Sequence, residues 1–248
     1  DFSIPAKRER ARRLLREQGP YVLIVSPMCT HYRSWQALNY AKSNDKVRIE
    51  RERAAAEEHM NFVASLYEDQ LDAGRYFLHE HPLGATSWKL PKLQAVLERA
   101  EVQRVRGDQC QFGSQIHEGE FRGDPILKPT GFMTNSPAIA EALAVRCQGH
   151  GGACSRPQGG THRLCSGKHA KYAAIYPKRL CRAIIKGVRD QMRRELRSSG
   201  TRRRRRGGAQ PQRAGTGLQR PLSRRSDRTG AQGRAGEGGS REGVGLLP

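Results

Sequence analysis

Apolar residues are spread unevenly along this chain, and that limits what it can fold into. Short apolar runs such as Tyr21-Val22-Leu23-Ile24-Val25 recur through the first part, whereas almost nothing apolar remains between Arg197 and Leu246-Leu247. A segment that buries little apolar surface cannot offset the entropy of ordering its backbone. The break therefore predicts one globular segment over residues 1–196 and a disordered, Arg/Gly-rich tail over 197–248. A single moderate core suits 248 residues with 36% hydrophobic content better than two cores.

The formal net charge of +21 favours an anionic partner. DNA or another nucleic acid leads, because neutralising phosphates releases counterions and gives affinity without sequence preference. A membrane is disfavoured, since no run approaches the ~18 apolar residues of a spanning helix. The first residues, Asp1-Phe2-Ser3-Ile4-Pro5, do not read as a secretory signal, and without an initial Met the chain reads as a fragment. The expected location is nuclear or otherwise intracellular. In that setting the six cysteines are read as reduced thiols.

Along the first part, strand and helix patterns alternate. Residues 6–18 read as a basic helix stopped by Gly19-Pro20, and 21–26 as a short strand, apolar throughout, of the buried parallel kind. A long helix over 45–73 carries Met60, Val63, Leu66, Tyr67 and Leu71 at three- and four-residue spacings. A second strand over 75–80 ends at His81-Pro82, which makes a βαβ unit. A helix near 90–99, a strand near 102–105 and a strand at 132–134 follow. Pro137 to Arg146 reads as a helix with Ser136 as N-cap, residues 147–167 as irregular, and Lys178 to Leu196 as a basic helix. The pattern predicts an α/β fold with a partial doubly wound, mostly parallel sheet.

In such sheets ligands bind beyond the carboxyl ends of the strands. One strand here ends at Ser26-Pro27-Met28-Cys29 and the other at His79-Glu80-His81-Pro82. A thiolate and a carboxylic acid at one sheet edge suit attack on an electron-poor ring carbon, with the acid engaging a ring nitrogen.

With those two loops the sequence resembles the DNA cytosine-C5 methyltransferases, and more closely the methyltransferase-like segments of mobile-element polyproteins. In that family a Pro-Pro-Cys loop carries the nucleophile and a Glu-Asn-Val motif the acid. The resemblance implies that Cys29 attacks cytosine C6 and that Glu80 engages N3. The turn Gln111-Phe112-Gly113 stands where the family has Tyr-Gly, and the segment Lys128-Pro129-Thr130-Gly131 where it has Gln-x-Arg-x-Arg. Lys128 and Thr130 are thereby implied as substrate contacts. Asp1 lies at about the family's distance ahead of the Cys loop for the aspartate that binds the adenine of S-adenosylmethionine. The likeness covers roughly residues 1–190 and implies an AdoMet-methyltransferase-like fold, truncated at the N-terminus and divergent. Met28 replaces a proline, the paired arginines have no clear counterpart, and the glycine-rich AdoMet loop that the family has ahead of this aspartate is missing.

Two non-catalytic readings stay open beside this one. Cys147, His150, Cys154, His162, Cys165 and His169 put six candidate zinc ligands in one short, Gly-rich stretch, at spacings that match no standard finger. A zinc-stabilised interaction module would use four of them. The run Arg202-Arg203-Arg204-Arg205-Arg206 reads as nuclear import or nonspecific phosphate contact. A charge-driven nucleic-acid-binding remnant of a mobile element would need nothing more.

Overall fold

The structure is a computed structural model that describes residues 2–33, 36, 40–167 and 169–207, with the backbone alone for 199–207. Asp1 and residues 208–248 lie outside the described residues. Within these limits the protein is a mixed α/β layer structure. Its elements are α1 (Pro5–Gln18), β1 (Val22–Val25), α2 (Lys46–Asp72), β2 (Tyr76–Pro82), α3 (Pro91–Leu97), β3 (Gln103–Asp108), β4 (Ile126–Leu127), β5 (Pro129–Thr134), α4 (Pro137–Leu143), β6 (Arg163–Leu164), α5 (His169–Ala173) and α6 (Lys178–Gly207).

The main sheet has the order β1-β2-β5-β3. β1 and β2 are parallel, with Val25 opposite His79. β5 runs antiparallel to both of its neighbours, β2 and β3, so three strands share one direction and the fourth is reversed between them. β4 and β6 form a separate two-stranded parallel pair.

Strand alternation sends successive side chains to opposite faces, and helices cover both. On one face Phe77 and Met133 pack with Met60, Val63 and Tyr67 of α2 and with Leu93 and Val96 of α3. The Tyr67 and Phe77 rings stack at 4.4 Å. On the other face Leu78 and Phe132 pack with Ile139 and Leu143 of α4 and with Leu180 and Ile184 of α6. α2 also has a second apolar face, where Phe62 and Leu66 meet Leu15 of α1.

Local chemistry sets several boundaries. Asp45 caps α2 by accepting a hydrogen bond from the Arg48 amide at 2.9 Å. Ser136 caps α4 through the Ile139 amide, with Pro137 in the first turn. α4 stops at Leu143, short of the expected Arg146, because the next residues turn back to β3, where the Asp108 amide donates to the Val145 carbonyl.

Three expectations need correction. β1 is an edge strand with half-exposed residues and an exposed Ile24, rather than a buried one. The strand at 129–134 is reversed in direction. The last helix continues past Leu196 to Gly207. No helix among the described residues is long and apolar enough to cross a membrane.

Gly107 on β3 is a sensitive point in this packing. A Cβ there would lie 2.4 Å from the Leu143 carbonyl oxygen and 2.8 Å from the Phe132 ring. Backbone cannot rotate away as a side chain can, so Gly107→Ala forces β3 and α4 apart. The expected loss is about 1–3 kcal/mol, read as a lower urea midpoint. An unchanged midpoint would show that the α4 contact yields freely.

Candidate functional site

The ends of β1 and β2 open into one cavity of about 590 Å³. Its walls come from the loop after β1, the loop after β2, residues 127–129, Cys165 and the 170–176 segment. Cys29, Glu80 and Lys128 all line it. The parallel pairing of β1 with β2 accounts for this, since it brings both carboxyl ends to one edge of the sheet.

Cys29 follows β1 by four residues and leads into a 3-10 turn over Thr30–Tyr32. That turn brings Arg33 back over the sulfur, and its guanidinium donates to Cys29 Sγ from Nε at 3.4 Å and from Nη2 at 3.3 Å. Glu80 is almost fully buried and points to the α4/α6 face of the sheet. Its Oε1 accepts from Gln109 Nε2 at 3.3 Å and lies 3.6 Å from Lys128 Nζ. Lys128 also donates to the Ala173 carbonyl at 2.9 Å. The Tyr176 hydroxyl bonds to both Glu80 and Ser26, and burial, with the Glu80 charge added, pushes it above the usual tyrosine range.

Thr130 does not line the cavity. It is fully buried, accepts from Gln109 Nε2 at 3.1 Å and donates to the Lys128 carbonyl at 3.3 Å. Thr130 is therefore a support for Gln109 instead of a contact in the cavity. Asp1 lies outside the described residues, as do the side chains of Arg202, Arg203, Arg204, Arg205 and Arg206, whose backbone belongs to α6. Sequence reasoning missed Arg33, Gln109 and Tyr176. Only Arg33 left a signal, a cation four residues after the cysteine.

The other candidate ligands divide in two. Cys147, Cys154 and His162 converge with a residue not foreseen, Cys110, and their ligand atoms all lie within 4.8 Å of one another. This Cys3His cluster could hold a metal ion. His150 is exposed outside it, Cys165 lines the cavity, and His169 packs edge-on against the Phe121 ring. At Cys147 burial works upward, but hydrogen bonds from the Ser155 hydroxyl and amide outweigh it and bring the thiol down to about 6. Burial pushes the Cys110 thiol up to about 12. Burial also pushes Cys165 up, against the pull of Lys128 and Arg33.

Searches against protein-family models, curated proteins and solved structures found no match to this chain.

His81, which also lines the cavity, faces the α2 side, where Ser87 Oγ lies 2.7 Å from its Nδ1. Burial lowers its pKa from 6.5 to about 4; the nearby Met28 backbone opposes this, and the charges of Lys128 and Arg33 add to it. Between these two values the unfolded chain binds a proton that the folded chain does not. Stability is thus complete above pH 6.5 and falls as the pH drops towards 4, by on the order of 3 kcal/mol from this residue. His81→Gln cannot titrate, so the loss of unfolding free energy between pH 7 and pH 4 should be smaller by about that amount. Equal losses in the two proteins would mean that His81 is not held neutral.

Proposed function

We propose that the cavity beyond β1 and β2 binds a pyrimidine base of DNA and that Cys29 adds to its ring, in the manner of the cytosine-C5 methyltransferases. One observation carries this reading: a thiol, a buried carboxyl group and a lysine, expected from the motif order, line one cavity of about 590 Å³. That volume falls in the range of small-ligand sites.

The chemistry follows from the positions of the groups. The Cys29 thiolate gives an electron pair to C6 of the base, forming an S–C6 bond. The C5=C6 π pair shifts to C4–C5, and the C4=N3 pair moves onto N3, which takes a proton from Glu80. Arg33 holds the attacking sulfur through two N–H donors. Gln109, Lys128 and Tyr176 fix the carboxyl group. The base must leave the duplex to reach the cavity.

Contact with DNA falls to the basic surface. α6 exposes Arg179, Arg182 and Arg189, and its backbone leads into the Arg202–Arg206 run. The same run reads as a nuclear import signal.

S-adenosylmethionine would supply the methyl group to C5 in this class. The cavity wall does not fit it, because Gly84 is its one glycine and the short turn that holds it, between β2 and the 3-10 turn Thr86–Lys89, is not a glycine-rich loop. No step is therefore derived through that cofactor.

The test is a covalent trap that needs no cofactor. The full chain is incubated with duplex DNA carrying a 2-pyrimidinone base and run on denaturing and native gels. Wild type should give a denaturant-resistant band that is absent in Cys29→Ser. Glu80→Gln should slow its appearance by about 10²-fold or more. A salt-sensitive native shift with no covalent band in any protein would sink the nucleophile assignment and leave the charge-driven binder.

A further inference from the structure

Two segments distant in sequence build the Cys3His cluster. Cys110 sits in the 3-10 turn Gln109–Phe112 that follows β3. Cys147 and Cys154 end a tight loop, and His162 lies across from that loop. The Cys154 amide donates to the Gly160 carbonyl at 2.9 Å and the His162 amide to the Gly152 carbonyl at 2.7 Å, which brings the two strands of a small hairpin together. The loop closes so tightly that a Cβ at Gly149 would lie 1.9 Å from the Ala153 carbonyl oxygen.

Two of the distances match the edges of a tetrahedral zinc site. Cys147 Sγ lies 3.8 Å from Cys154 Sγ and 3.7 Å from His162 Nε2. A tetrahedral zinc with Zn–S near 2.3 Å and Zn–N near 2.0–2.1 Å has sulfur–sulfur edges of about 3.8 Å and sulfur–nitrogen edges of about 3.6 Å. A disulfide needs its sulfurs at about 2.05 Å, so Cys147 and Cys154 are not bonded to each other.

Hydrogen-bond donors approach each of the three sulfurs. The Ser155 amide and hydroxyl approach Cys147 Sγ at 3.4 and 3.5 Å. Gln111 Nε2 lies 3.6 Å from both Cys110 Sγ and Cys154 Sγ. Further out, the Asp108 carboxylate accepts from the Cys147 amide at 2.8 Å and is itself held by both arms of Arg106, at 2.9 and 3.1 Å. Second-layer donors of this kind orient ligands in metal sites.

We propose that Cys110, Cys147, Cys154 and His162 bind one zinc ion in a closed, structural site. Four protein ligands leave no position for water or substrate, so the ion clips the 147–162 hairpin to the end of β3 and takes no part in chemistry. The site does not depend on the reading of the Cys29 cavity and stands if that reading fails.

The experiment uses the full chain, purified without chelator. Elemental analysis should find close to one zinc per chain. After the zinc is exchanged for cobalt(II), the intense visible bands of a tetrahedral thiolate site should appear. Cys110→Ser and His162→Ala should weaken or abolish them, and His150→Ala and His169→Ala should leave them unchanged. Cys110→His keeps four ligands, so it should still bind one cobalt with shifted bands, even if the serine variant does not fold. A chain without zinc that takes up no cobalt overturns the proposal. So does an intact mass two daltons low from a Cys147–Cys154 disulfide in the protein as purified. Bound metal that survives Cys110→Ser unchanged overturns the ligand set.

Discussion

Strand β2 is buried on both faces, so partners for the polar groups it carries have to come from inside the protein. A buried group left without one costs about 1–3 kcal/mol. Three consecutive residues, His79, Glu80 and His81, impose that demand, and alternation sends them to different sides. His79 meets the Tyr67 hydroxyl at 2.7 Å and His81 meets Ser87, both on the α2 side and both through Nδ1, while their Nε2 atoms are buried without a hydrogen-bond partner. Glu80 faces the other way and draws in Gln109, Lys128 and Tyr176. Much of the site's architecture is the set of partners that this one strand requires.

The elements with strong local signals were legible in the sequence. The α2 stripe, the Asp45 cap and the Ser136-Pro137 start of α4 depend on neighbours a few residues away. Strand direction and position in the sheet depend on partners far along the chain. The Val22–Val25 run looks the same whether it is central or at an edge, and only the sheet order shows that one side has no partner strand among the described residues. The reversal of β5 was hidden for a related reason. It pairs with β3 across a long excursion containing the 3-10 turn and β4, without the tight-turn residues that announce a hairpin.

The same division holds at the site. Cys29 and Glu80 could be brought together on paper because parallel pairing fixes which strand ends share an edge. Arg33 reaches the sulfur through one short turn. Tyr176 and Gln109 arrive from distant segments, and no spacing rule connects them to Glu80. Cys110 was hidden in the same way: the Gly-rich stretch holds Cys147, Cys154 and His162 among its six candidates, and the fourth member of the cluster comes from the end of β3.

That fourth ligand links the two sites. Gln109 and Cys110 share a peptide bond within a single 3-10 turn, yet their side chains serve different groups. Gln109 donates to Glu80 and Thr130, whereas Cys110 joins the Cys3His cluster. The Gln109 amide is tied to the Lys128 carbonyl at 3.2 Å, so the lysine beside Glu80 is anchored to the same turn. Asp108, just before it, holds the Cys147 amide. The backbone that presents Cys110 to the cluster is therefore also the backbone from which Gln109 reaches Glu80. Short turns have few torsions in which to absorb a displacement, so the position of the buried carboxyl group and the closure of the cysteine loop are mechanically one problem.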